Sequence, residues 1–129
     1  MSKLPSNIRM VEKTPSIIET WANAISLRNP QIMTSFYCQN AVLVGTFSEP
    51  FEIGKDEIYK YFVDFLSVKR MSCKILEQVC QQGEVVMTSS GVYEFTIDGE
   101  TTRARFTYTL IPINGEYKIL NHHSSVYDG

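Results

Sequence analysis

Arg105 and His123 are the side chains of this sequence best placed, by type and neighbourhood, to do chemistry. Arg105 stands in the run Ala104-Arg105-Phe106-Thr107. A guanidinium covered by such neighbours must meet an anion or several acceptors, because an unpaired buried charge is costly. Two kinds of partner fit. One is a ligand carboxylate, phosphate or enolate-like oxygen gripped bidentately; the other is an internal carboxylate, Asp64 or Glu94. His123 offers a proton donor or acceptor near neutral pH, or a hydrogen-bonded strut that stiffens its strand. Tyr37, Tyr61 and Tyr93 each carry a hydroxyl for a ligand or for a backbone partner, and Trp21 suits a core or a pocket wall. Asp64 is the one carboxylate with a place beside a donor in an isomerase-like site, where it would need a raised pKa; the alternative is that it faces solvent. Ser124 and Ser125 make no triad, since no nucleophile elbow is present and adjacent strand residues point apart. For the same reason His122 and His123 make a poor metal pair, and His122 is expected at an interface or on the surface.

These groups need a scaffold, and the periodicity of the chain supplies one. Thr14-Pro15 reads as a cap followed by the first helical position, and Ile17, Ile18, Trp21, Ala24, Ile25 and Arg28 follow at helical spacing. Asn29-Pro30 starts a short second helix, with Ile32, Met33, Phe36 and Tyr37 as its apolar stripe. Residues 41–47 are rich in β-branched side chains and read as a strand. A third helix is expected over 55–67, with Ile58, Tyr61, Phe62, Phe65 and Leu66 on its inner face. From Met71 the period changes to 2, predicting strands at 71–81, 85–96, 101–112 and 116–125. Asp98-Gly99 and Asn114-Gly115 are strong hairpin turns, because both central residues of a type I′ turn take positive φ. The order α-α-β-α-β-β-β-β predicts an α+β fold with helices on one face of a mainly antiparallel sheet.

Splitting each strand by alternation gives two faces. Placing Arg105, Thr107 and His123 inward lets them converge with Tyr93 in a cavity under the helices, the usual form of a small-molecule site. The other face, Phe106, Tyr108 and Leu120, is then apolar and outward, and a second copy of the chain is the expected cover, giving a homodimer.

The bulk properties narrow the classes. A chain of 129 residues is expected to be one domain, 1–129, with a loose lead-in at 1–13. The net charge of −2 is spread along the chain, which argues against nucleic-acid or membrane-surface partners. Cys38, Cys73 and Cys80 are odd in number and lack a C-x-x-C, so they are expected to be plain thiols in a reducing compartment, with no metal site. No glycine-rich phosphate loop occurs, and no cofactor is expected. With no apolar leader or long apolar run, a cytoplasmic protein is expected.

Trp21-x-x-Ala24, Phe36-Tyr37, Gly54-x-x-x-Ile58-x-x-Tyr61-Phe62, Ser90-Gly91-x-Tyr93, Ala104-Arg105-Phe106-Thr107 and His122-His123-Ser124-Ser125 occur in this order. Together, over about 14–125, they resemble the nuclear transport factor 2-like superfamily with its cystatin-like cone. Within it the chain is most similar to small bacterial SnoaL-like proteins, related to the association domain of calcium/calmodulin-dependent protein kinase II. The sequence departs from that pattern at Tyr117, where a tryptophan is usual, and at Val126-Tyr127, where a proline is usual. The resemblance implies a curved sheet wrapped around helices, an internal pocket and dimers packed through the sheet, but no particular reaction. Three functions follow as expectations. One is a dimeric binding domain for an anionic or polar small molecule held by Arg105, Thr107 and tyrosines. A second is a cofactor-independent lyase or isomerase with His123 as acid/base and Arg105 as anion stabiliser. The third is an oligomerisation module without catalysis.

Overall fold

The computed structural model describes residues 7–11, 15–46 and 51–127. In chain order these form β1 (Arg9–Val11), α1 (Ser16–Ala24) running on into a 3-10 turn (Ile25–Leu27), α2 (Pro30–Ser35), β2 (Tyr37–Val44), β3 (Glu52–Ile53), α3 (Lys55–Phe65), β4 (Met71–Gln82), β5 (Met87–Ile97), β6 (Glu100–Ile113) and β7 (Glu116–Val126). The fold is α+β, and the four long C-terminal strands lie within a residue or two of their expected ranges. Both hairpin turns have positive φ at their two central residues: 50° and 90° at Asp98-Gly99, 52° and 83° at Asn114-Gly115.

The sheet order is β1-β4-β5-β6-β7-β2-β3. Every pairing is antiparallel except β2 with β7, which is parallel. The expected strand at 41–47 begins earlier, at Tyr37, because the chain leaves α2 directly onto β7; Ile119 N–H bonds to Phe36 O at 2.8 Å. Part of the expected lead-in is strand β1, held against Val11↔Cys80 and its neighbours on β4. The Thr14 cap lies outside the described residues. Pro15 takes the cap position itself, with ψ 136°, so the helix starts one residue later than its proline suggests. Asn29 caps α2 as expected, its side chain accepting from the Gln31 and Ile32 amides. Among the described residues no helix is long and apolar enough to cross a membrane.

The helices bury Ile18, Trp21, Ile25, Met33, Ile58 and Phe62 against Tyr93, Phe95, Phe106, Tyr108, Leu110 and Ile119 of the sheet. Burying a large apolar side chain is worth about 1.5–3 kcal/mol, so this layer dictates which face of each strand turns inward. In β6 the inward set is Ala104, Phe106, Tyr108 and Leu110, and the outward set is Arg103, Arg105, Thr107 and Thr109.

Among the described residues two bulges break the antiparallel pairings, and the parallel β2–β7 pairing shifts register between Tyr37 and Val42. One interrupts β4 between Ile75 and Glu77. The other interrupts β7: Leu110 pairs with Ile119 and Thr109 with Asn121, leaving Leu120 as the extra residue. One extra residue reverses the alternation beyond it. Ile119 therefore points inward, and so do His122 and Ser124, while Asn121, His123 and Ser125 point outward.

Candidate functional site

The inward face is the apolar one, which overturns the expected placement. Arg105, Thr107 and His123 are exposed on the outer surface of the sheet. There Thr107 and His123 are direct cross-strand neighbours, and the Arg105 guanidinium lies 4.3 Å from the centre of the Tyr127 ring. Neither Asp64 nor Glu94 pairs with Arg105; Glu94 instead binds Arg103 at 3.2 Å. Asp64 is exposed on α3, one turn position away from the inward Phe62 and Phe65. Phe106 and Tyr108, expected at an outer interface, are 3% and 0% exposed within the core. Leu120 is half-buried at the bulge.

Trp21, Tyr37 and Tyr93 do come together, around the histidine expected at the surface. His122 is 2% exposed. Its ring is stacked on Tyr108 at 4.1 Å and 17°, and meets Trp21 edge-on at 5.3 Å and 90°. Tyr37 Oη lies 2.8 Å from His122 Nδ1, and Tyr93 Oη lies 3.1 Å from Nε2.

The direction of these bonds follows from their ends. Trp21 Nε1–H can only donate, and it does so to Tyr37 Oη at 3.1 Å. That leaves the Tyr37 proton for Nδ1. Burial, with a smaller contribution from neighbouring His123, pushes the His122 pKa down to about 3, so the ring is neutral at pH 7. With Nδ1 accepting, the ring proton sits on Nε2 and is donated to Tyr93 Oη. Tyr93 in turn donates to Ser124 Oγ at 2.6 Å, and Ser124 is hydrogen-bonded to Thr46 Oγ1. Burial also raises the pKa values of Tyr37 and Tyr93, which keeps both hydroxyls protonated. The result is one relay, Trp21–Tyr37–His122–Tyr93–Ser124–Thr46, running from the core to the end of β2 and directed from Trp21 as far as Ser124.

The relay ends beside a small cavity of about 10 Å³ lined by Trp21, Leu43, Tyr61, Phe95, His122, Ser124 and Thr46 among others. That is room for about one water molecule or one small polar group. Tyr61 forms part of the wall; its hydroxyl receives a backbone bond from Thr46, while burial pushes its pKa up. Among the described residues no Lys, Arg, Asp or Glu lines the cavity. Of the expected site residues, Trp21, Tyr37, Tyr61 and Tyr93 belong here. His122, Ser124 and Thr46 were not anticipated. For the first two the signal existed in register, since they pair with Tyr108 and Phe106; nothing local marks Thr46. Among the described residues no group of three or more His, Cys, Asp or Glu side chains comes together to hold a metal.

A family model described as a SnoaL-like domain matches residues 15–129. The chain belongs to the SnoaL-like domain family. Among solved structures, this SnoaL-like domain is 28% identical to a calcium/calmodulin-dependent protein kinase II association-domain-like protein of Xanthomonas campestris, with a TM-score of 0.80 over 88% of this chain and 84% of that one. An NTF2-like protein of unknown function from Pseudomonas putida shares the fold at TM-score 0.77 and 13% identity, over 85% and 81% of the two chains. A dehydratase-like NTF2-family protein of Streptomyces avermitilis shares it at TM-score 0.80 and 9% identity, over 88% and 93%. At those identities the likeness concerns the fold alone. No curated protein matches the sequence.

Proposed function

We propose that this SnoaL-like domain binds a small uncharged molecule that inserts only its hydroxyl or carbonyl into this cavity, against Ser124 and Thr46 at the end of the relay. The observation that carries this reading is the relay itself. A buried chain of polar groups costs desolvation unless every member is paired, and this one is paired in a single direction up to a cavity wall. It delivers an oriented hydroxyl, backed by a histidine held neutral, to a place where one polar group fits. An uncharged ligand fits this wall because, among the described residues, no cation lines the cavity to offset an anion. A lyase or isomerase acting through His123 and Arg105 finds no support here, since both stand on the outer face, and among the described residues the cavity wall offers no carboxylate base.

Trp21 is the sole tryptophan and lines the cavity, so its emission reports an occupant directly. Titrating the protein with a panel of small ketones, alcohols and phenols should give a saturable change in Trp21 emission for at least one of them. Ser124→Ala and Thr46→Val should each weaken that binding by about five- to tenfold, the value of one hydrogen bond. A panel without any saturable change, or binding indifferent to both substitutions, would reject the reading.

We also propose that two copies pack through the outer face of the sheet, now defined by Val92, Thr107, Thr109 and His123 rather than by Phe106 and Tyr108. What favours this is the character of that face. Across its centre the rows Val79–Ser90–Thr107–His123 and Gln81–Thr88–Thr109–Asn121 contain no charged carboxylate or lysine, and charge-poor centres distinguish interfaces from ordinary surface. Light scattering at micromolar concentration should give twice the chain mass, and Thr107→Glu should return the monomer mass; a monomer in the unsubstituted protein removes the claim.

A further inference from the structure

A second concavity shares no lining residue with the first. It is a cleft of about 520 Å³ lined by Ser26, Arg28, Lys69, Arg70, Met71, Ser72, Thr96 and Gly99, within the size range of small-molecule sites. Three cations from two separate segments face it on a chain whose net charge is −2. Among the described residues none of the three is in an ion pair. A cleft whose charged lining, among the described residues, is wholly cationic favours an anionic occupant.

The segments that carry these cations are anchored. Arg28 adopts the left-handed conformation, φ 52°, with its amide bonded to Ile25 O, and its guanidinium donates to the Val68 carbonyl. The backbone at Arg70 is tied twice to the β5–β6 turn: Arg70 N–H donates to Asp98 Oδ1 at 2.8 Å, and Asp98 N–H donates to Arg70 O at 3.0 Å. Asp98, the neighbour of the lining Gly99, is engaged by that amide. Ser72 and Thr96, direct partners across β4 and β5, add hydroxyl donors to the lining. Cations of fixed backbone, supplemented by hydroxyls, are the chemistry that recognises a phosphate group.

We infer that this cleft is a binding site for a phosphate-bearing small molecule, independent of the uncharged ligand proposed above. The probe is sodium phosphate, followed by amide NMR shifts at about pH 7.5 against sodium chloride of equal ionic strength. Phosphate should move the amides of Arg28, Arg70, Ser72 and Gly99 saturably, with a roughly millimolar Kd, where chloride does not. Arg70→Gln should weaken this by about tenfold. Lys69→Gln, at an exposed position, should weaken it without disturbing the anchored backbone, so a fold defect in one variant leaves the other to decide. Pelleting with phosphatidic acid vesicles would put the phosphate on a lipid headgroup; saturable phosphate binding without pelleting would make it a free ester. Shifts reproduced by chloride, or phosphate binding unchanged in both variants, would overturn the site.

Discussion

Acidification from about pH 7 to about pH 4.5 should destabilise the protein by about 2.5 kcal/mol through His122 alone. The folded ring has its pKa pushed down to about 3, against 6.5 for a free histidine. Below pH 6.5 the unfolded chain therefore takes up a proton that the folded chain refuses. The stabilisation is complete above 6.5 and is lost as pH falls toward 3, with a slope of about 1.4 kcal/mol per pH unit in between. The refusal has a structural cause. An imidazolium would carry protons on both nitrogens, but Nδ1 faces the Tyr37 hydroxyl, whose oxygen already accepts from Trp21. Protonation would thus reverse a donor in mid-relay and strand a charge among Trp21, Tyr93 and Tyr108. Urea unfolding at several pH values measures the slope, and comparison with His122→Gln removes the contribution of the carboxylates common to both. A second measurement needs no variant: the His122 ring signals should stay constant between about pH 8 and pH 5, with Nδ1 unprotonated throughout. A ring that titrates near 6.5, or equal slopes in the two proteins, would contradict the buried neutral relay.

Much of the fold is legible in the residues. Asp98-Gly99 and Asn114-Gly115 announce their turns because few other pairs tolerate two successive positive φ angles. The period-2 runs between them then have little choice but to pair as neighbours. The site is less legible, for two physical reasons. Alternation divides a strand into faces without saying which is buried. In β6 the answer was nevertheless present: Ala104, Phe106, Tyr108 and Leu110 outweigh Arg105, Thr107 and Thr109 in apolar area, and burial follows area. Putting Arg105 inward asked the core to hold a charge without a partner. In β7 the alternation itself is broken. Tyr117 and Ile119 lie on the parity of His123, and a regular strand would bury all three together. The extra residue Leu120 cancels that parity, so His122 and Ser124 take the inner places. A bulge of this kind leaves no single-residue mark, whereas the pairing of His122 with Tyr108 reveals it at once. Short strands such as β1 and β3 escape for a related reason, since they are too brief to show a period and exist only through a partner.

Gly91→Ala should cost about 3 kcal/mol or more, the top of the usual range for overpacking, because here the backbone must absorb it. A Cβ at position 91 would lie 2.0 Å from the Glu77 carbonyl oxygen and 2.9 Å from Phe106 Cζ. The first of these is backbone, so no rotamer change relieves it. The close approach arises at the β4 bulge between Ile75 and Glu77, where the bent strand brings its carbonyl against β5. Gly91 is what allows the bend, and Phe106 lays its ring over the space the missing side chain leaves. Gly99→Ala is the fitting comparison: its φ of 90° strains a side chain, yet nothing stands within 4 Å of the added carbon, so about 1 kcal/mol is expected there. Chemical denaturation of both variants gives the difference, and near-equal costs would mean that the bulge relaxes freely. The consequence for the site is specific. Tyr93, which links His122 to Ser124, is two residues along the same face of β5 and its ring lies 4.7 Å from that of Phe106. A Gly91→Ala chain that remains folded by widening this contact should displace Tyr93 and shift the emission of Trp21, stacked on it at 5.8 Å. Gly99→Ala, at the far hairpin turn, should leave that emission unchanged, separating a strained turn from a disturbed relay.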